Sequence, residues 1–302
     1  MKRDILSILD LPDIREVLAR AATLKAGQGT GRELAGMSLA MIFEKSSTRT
    51  RVSFEVAMTQ LGGHAIFLNQ KDSQLGRGET IPDTARVLGR YADAIMYRAF
   101  SHANMAELAR FSSVPVINAL DDLEHPCQIA ADLLTVQEHK GRLEGLKLAY
   151  VGDGNNVCNS LLLGAAMVGM HAAAACPPGY QPNAGLAAKA KELAAASGVR
   201  SEVLTDPVKA VEGADIVYTD TWVSMGQEEE VAQRRKTFLP YQVNGALMAK
   251  AKEDAIFMHC LPAHRGWEVT DEVMEGPHSV VFDQAENRLH AQKAILLAVL
   301  NR

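Results

Sequence analysis

The sequence predicts an α/β fold of two consecutive parallel-sheet domains with helices on both faces, and three observations predict it. Short apolar runs alternate with helix-period patterns through most of the chain, as strand-helix-strand units require. The runs fall into two series, and a helix between them ends in the glycine-punctuated polar turn Gly141-Arg142-Leu143-Glu144-Gly145. A length of 302 residues suits two domains that each bury a core.

Taken in order, the amphipathic stretch Leu11–Leu24 precedes the first strand, Ser38–Phe43. The helix Arg51–Leu61 leads to the short run Ala65–Leu68, and the helix Ile81–Tyr91 to Ala94–Tyr97. Val114–Ile117 closes this series, and the helix Cys127–His139 carries the chain to the glycine turn. The second series places strands at Lys147–Val151, His171–Ala175, Ser201–Leu204, Ile216–Tyr218, Ile256–Met258 and Val280–Phe282. The boundary therefore lies near residue 140, giving domains 1–140 and 141–285. The last segment, Glu286–Leu300, has apolar residues at Leu289, Ile295, Leu296 and Val299 and reads as an amphipathic helix. Its spacing alone leaves open which domain it packs against.

Composition removes several function classes. With 31 basic and 36 acidic residues the net charge is -5, and no polybasic tract marks a nucleic-acid binder. The longest uncharged apolar stretch, Leu161–Met170, is far below the roughly 20 residues that cross a bilayer. Asp4, Asp10 and Asp13 interrupt any secretory h-region after Met1-Lys2-Arg3, so a cytoplasmic setting is expected. Cys127, Cys158, Cys176 and Cys260 are dispersed without a C-x-x-C pair, which reads as reduced thiols and no metal centre; only His259 sits beside a cysteine.

The densest chemical signal is Glu44-Lys45-Ser46-Ser47-Thr48-Arg49-Thr50-Arg51, where the first strand ends and a helix begins. Ser47 suits an N-cap, and first-turn amides with the positive end of the macrodipole favour an anion. The guanidiniums of Arg49 and Arg51 add forked donors for phosphate oxygens. A capped helix with a solvated basic turn is the plain alternative, but basic residues in a first turn oppose the dipole.

His125-Pro126-Cys127-Gln128 opens another helix, with proline in its first turn. Imidazole and amide one turn apart could polarise a carbonyl and accept from its amine; a buried loop histidine would look the same. Gly152-Asp153-Gly154-Asn155-Asn156 follows a strand, yet the third glycine of a dinucleotide fingerprint is replaced by Val157 and no acidic strand end follows at Ala172–Cys176. The asparagines could cap the helix or donate to a carboxylate. Asp220, at a strand end before Ser224-Met225-Gly226, is a counter-ion for an ammonium. The charged segment from Glu228 to Lys236 reads as solvated surface or as a lid. Cys260, in His259-Cys260-Leu261-Pro262, is an inert thiol or a proton-handling group near cations. Arg98 and Arg288 are surface arginines singly, and candidates for the same anion together with Arg49.

Four of these motifs in register, Ser47-Thr48-Arg49-Thr50-Arg51, His125-Pro126-Cys127-Gln128, Asp220 with Ser224-Met225-Gly226, and His259-Cys260-Leu261-Pro262, resemble the aspartate/ornithine carbamoyltransferases nearly end to end. The resemblance implies that Ser47, Thr48, Arg49, Thr50 and Arg98 bind the phosphate of carbamoyl phosphate, while His125, Gln128 and Arg288 hold the carbamoyl group and its surroundings. It further implies that Gln74 reaches a neighbouring subunit's site in a homotrimer. Asn156, Asp220, Ser224 and Met225 would bind the amino-acid end of L-ornithine, with Cys260 and Leu261 at the reacting centre. Arg98, His125 and Cys260 would be the catalytic residues, the terminal helix would return to the first domain, and the products would be L-citrulline and phosphate, within arginine biosynthesis. No cofactor is implied. Aspartate, putrescine or an N-acylated ornithine are the alternative acceptors, each lacking a reason for Asp220 beside Ser-Met-Gly.

Overall fold

The computed structural model describes residues 2–223 and 230–301, and the chain divides into two units, Met1–Leu134 with Glu286–Arg302, and Thr135–Ala285.

In the first unit the order is α1 (Ile14–Lys25), β1 (Ser38–Phe43), α2 (Thr48–Gln60), β2 (His64–Asn69), α3 (Ile81–Leu88), β3 (Ala94–Arg98), α4 (His102–Phe111), β4 (Val116–Leu120) and the start of α5 (Pro126–Lys140). The strands pair in parallel in the order β2-β1-β3-β4. Successive residues of β1 and β3 are buried, so helices cover both faces and these strands run apolar rather than alternating. Ile42, Ile95, Met105 and Leu108 lie in one core cluster. The fourth strand starts two residues later than its apolar run suggests, because Pro115 has no N–H for a ladder; its carbonyl accepts from Ile95 N at 2.9 Å instead.

The second unit holds β5 (Lys147–Val151), α6 (Asn156–Met167), β6 (His171–Ala175), α7 (Ala184–Ala196), β7 (Ser201–Leu204), α8 (Pro207–Val211), β8 (Ile216–Thr219), α9 (Val231–Phe238), α10 (Gly245–Met248), β9 (Ile256–His259), α11 (Asp271–Met274) and the start of α12 (Val281–Val299). Its parallel sheet has the order β7-β6-β5-β8-β9. Val151, Val217, Phe257 and Val269 build the core.

The strand expected at Val280–Phe282 is not formed. Ser279 makes only an isolated bridge to Phe257, and the helix begins at Val281. Three apolar residues in a row carry no period, so helix and strand look alike there. From Glu286 onward α12 belongs to the first unit, where Lys25 Nζ donates to Asn287 Oδ1 at 2.8 Å and Ile295, Leu296 and Val299 are buried. The terminal helix thus returns to the first domain. No helix among the described residues is long and apolar enough to cross a membrane.

In each sheet the chain steps one way from its first strand and then the other. The order reverses between β1 and β3 in one unit and between β5 and β8 in the other. Loops at the carboxyl ends of such neighbouring strands frame a crevice in parallel α/β sheets.

Candidate active site

The exits of β1 and β3 carry the cationic residues of the first unit. Ser47 is the N-cap of α2: its Oγ accepts from Thr50 N at 3.2 Å and donates to Thr50 Oγ1 at 3.1 Å. No acidic side chain occupies the first turn, and the amides of Thr48 and Arg49 have no acceptor within the helix. Thr50 is fully buried, and Arg288 Nη2 donates to its Oγ1 at 2.8 Å. Arg288 sits two turns inside α12 rather than opening it. The two guanidiniums of the motif part company. Arg51 donates to Glu55 at 3.0 Å and lies 3.8 Å from the Phe67 ring centroid, so it serves the helix surface and leaves Arg49 as the candidate anion ligand of the pair.

Arg98 ends β3 at an irregularity in its pairing with β4, where the partner shifts from Asn118 to Leu120; such a bulge re-aims a side chain. Glu44 clasps this exit. Its N–H donates to the Arg98 carbonyl at 2.9 Å, while its carboxylate accepts from Tyr97 Oη and from Phe100 N at 2.6 Å. Lys45 packs over the Phe100 ring at 4.7 Å, and burial with the adjacent Arg98 charge lowers its pKa. His125 is buried, and its pKa is held well below the usual imidazole range by desolvation and by the Arg288 and Arg98 guanidiniums. An imidazole kept neutral by burial and nearby positive charge can hydrogen-bond a carbonyl without adding a titrating charge. Gln128, one turn on, is buried, and its Nε2 donates to Asp132 Oδ1 at 2.8 Å. Cys127, between them, faces the core, where burial pushes its thiol up to about 12. Gln74 is exposed at the start of the short 3-10 turn Leu75–Arg77.

The exits of β5, β8 and β9 in the second unit carry acid, amide and thiol. Gly152 has φ +145°, and a Cβ on Gly154 would lie 2.2 Å from Pro182 N, so the glycines after β5 serve the turn and a close backbone crossing. Asn155 caps α6 by accepting from Val157 N and Cys158 N at 3.0 and 3.1 Å, and its Nδ2 donates to Asp220 Oδ2 at 2.7 Å. It caps the helix, and the carboxylate it donates to is one of the chain's own. The other oxygen of Asp220, a buried residue, accepts from Cys260 Sγ at 3.0 Å. Asn156 begins α6 beside this group. Ser224 and Met225 lie outside the described residues, as do Glu228 and Glu229 of the charged segment.

Within that segment Arg234 is not solvated surface. It is buried, and donates to Asp153 at 2.9 Å, to the Trp222 carbonyl at 3.0 Å and to Glu230 at 2.8 Å. Burial raises the Asp153 carboxyl to about 6 even with this guanidinium beside it.

Leu261 adopts φ +59°, a left-handed conformation costing a branched residue roughly 1–2 kcal/mol, and is followed by a cis bond to Pro262. His259 holds the turn. Its Nδ1 accepts from Leu261 N at 2.8 Å, which puts the ring proton on Nε2, 3.3 Å from Glu268 Oε1. Gln284 Oε1 accepts from His259 N at 2.9 Å. Donor atoms of Asp220, His259 and Cys260 lie within 4.8 Å of one another, but both imidazole nitrogens are engaged in supporting the turn. Glu44 and Lys45 begin the densest chemical run of the sequence without a role of their own there, and no local signal marks Asp132.

Family models match both parts of the chain. Residues 3–138 match the carbamoyl-P binding domain, and 144–299 the Asp/Orn binding domain, of aspartate/ornithine carbamoyltransferase. The chain is 60% identical over 303 residues to an ornithine carbamoyltransferase of Carboxydothermus hydrogenoformans, covering 99% of this chain and 97% of that one. It is 58% identical to one from Methanobrevibacter smithii, covering 97% and 98%. Among solved structures, the Pyrococcus furiosus ornithine carbamoyltransferase superposes with a TM-score of 0.95 at 54% identity, covering 99% and 97%. The anabolic enzyme of Campylobacter jejuni does so at 0.94 and 42%, covering 100% and 99%.

Proposed function

The chain belongs to the aspartate/ornithine carbamoyltransferase family, and from that membership we propose that it transfers the carbamoyl group of carbamoyl phosphate to the δ-amine of L-ornithine, giving L-citrulline and phosphate. The observation that carries this reading is Arg288 bonded to Thr50 at the acid-free start of α2, with the buried His125, its pKa lowered by burial and by the charges of Arg288 and Arg98, in the same unit. Guanidiniums and helix amides suit a phosphate dianion, and an uncharged imidazole suits the carbonyl attached to it.

Residues 1–140 with 286–302 bind carbamoyl phosphate through Ser47, Thr48, Arg49, Thr50, Arg98, His125, Gln128 and Arg288. Residues 141–285 bind ornithine through Asn156, Asp220, Ser224 and Met225; the matched domain models and the division of the chain at 134/135 support this assignment in outline. A δ-amine has a pKa of roughly 10.4, so it arrives protonated and must lose a proton before attacking. Asp220 is its counter-ion, and Cys260, bonded to that carboxylate, assists the proton's departure. The nitrogen then bonds to the carbamoyl carbon. Charge developing on the carbonyl oxygen meets Thr50, Arg98 and His125, the bond from carbon to the phosphate oxygen breaks, and phosphate departs onto the arginines. Leu261 offers backbone groups at the reacting centre. These steps require no metal, nucleotide or covalent intermediate.

Gln74 completes the carbamoyl phosphate site of an adjacent subunit in a homotrimer, a role its exposed loop position supports. A cytoplasmic setting and a place in arginine biosynthesis go with this reading. A colorimetric citrulline assay with ornithine, putrescine, aspartate and N-acetylornithine as competing acceptors tests the reading. Ornithine is expected to be preferred by at least about 10²-fold, as a site with a buried charge partner allows; comparable rates with another acceptor would replace the substrate assignment.

A further inference from the structure

Gln128 and Asp132 lie one turn apart on α5, and both are buried. Gln128 Nε2 donates to Asp132 Oδ1 at 2.8 Å, while its Oε1 is buried with no hydrogen-bond partner among the described residues. A primary amide has a donor end and an acceptor end of nearly equal shape, so its environment decides which way it points. An ionised carboxylate only accepts, and the reversed amide would set two oxygens against each other at hydrogen-bond distance. The bond to Asp132 therefore leaves Gln128 presenting an oxygen. Gln128 is one turn from His125, which feels the charges of Arg98 and Arg288. A buried acceptor without a donor costs free energy until a ligand supplies one.

We propose that Asp132 is a positioning residue that locks the Gln128 amide with its oxygen toward the NH2 of the carbamoyl group, and so makes the first unit discriminate carbamoyl phosphate from acyl phosphates that lack that amine. This rests on the carbamoyl phosphate reading above and deepens it. Asp132 touches no substrate atom; it acts through the side chain one turn before it.

Asp132→Asn tests the idea because an amide at 132 can donate as well as accept, which frees Gln128 to turn over. The probe is acetyl phosphate, in which a methyl group replaces the amine, measured as a competitive inhibitor against carbamoyl phosphate in the ornithine-dependent citrulline assay. In D132N the KM for carbamoyl phosphate should rise about tenfold, the scale of one buried hydrogen bond, with the Ki of acetyl phosphate changed by less than about twofold. In a Gln128→Leu background the same substitution should add nothing to the lost discrimination. Equal weakening of both ligands, unchanged constants, or an additive loss in the Q128L background would each overturn the proposal. Asp132→Ser, whose hydroxyl also donates, carries the same expectation should the asparagine chain not fold. Wild-type protein that forms no citrulline would defeat the functional reading instead, so the two failures are separable.

Discussion

At the exits of β1 and β3 the first unit gathers Lys45, Arg49 and Arg98, with Arg288 brought in by α12; at the exits of β5, β8 and β9 the second unit gathers Asp153, Asn155, Asp220 and Cys260. Each set is built around the point where the strand order of a parallel sheet reverses, with Cys260 added from the neighbouring edge strand β9. The topology is shared and the charge is opposite. Position in the fold says where a ligand end can lie, and the side chains at those loop ends say which sign it carries. The first set is also built around hydrogen bonds that fix donors in advance, as in Ser47 to Thr50 to Arg288, whereas the second centres on one carboxylate shared by an amide and a thiol.

The largest test of that contrast removes a cation. Arg98→Ala should lower kcat/KM for carbamoyl phosphate by about 10²- to 10³-fold, the scale of deleting one charge-bearing donor from a preorganised site. Arg49→Ala should follow it, while Arg51→Ala, whose guanidinium already serves Glu55 and Phe67, should stay within about threefold. Binding of ornithine, read by titration, should hardly move. Matching losses for both substrates would erase the division of labour between the units.

The opposite test follows at smaller scale. Asp220→Asn keeps the shape but removes the anion, and should raise the KM for ornithine about 10²-fold while leaving the Kd of carbamoyl phosphate within about twofold. A variant that bound ornithine normally would show that the ammonium is neutralised elsewhere.

How much of this was legible in the sequence depends on whether the signal was local. Strands β1, β5, β6 and β7 begin and end where their apolar runs do, because each run is bounded by turn residues. Ser47 as a cap and Asp220 at a strand end were likewise visible from neighbours in the chain. Long-range partners were not. Nothing near Arg234 reveals that it reaches Asp153, 81 residues earlier, and a charged run therefore looked solvated. Arg49 and Arg51 looked equivalent until Phe67 and Glu55 claimed one of them. Glu44 became meaningful only when the pairing of β1 with β3 set Phe43 opposite Arg98.

The smallest expected effect concerns stability, and it separates the units by pH. His125 is buried, and in the folded chain it resists protonation because of desolvation and the charges of Arg288 and Arg98. In the unfolded chain it titrates near 6.5. Below that pH the unfolded state binds a proton that the folded state refuses, so the contribution is complete above about 6.5 and drains away as pH falls. While the folded imidazole stays neutral, the loss is about 1.4 kcal/mol per pH unit for this one proton. His125→Gln keeps a polar side chain that does not titrate. Urea unfolding of both proteins from pH 7 to pH 5 should therefore give a shallower acid-side decline for the variant. Parallel declines would mean that His125 gains its proton in the folded protein, and a charged imidazole would then share the first unit's cationic edge, against the neutral role proposed for it.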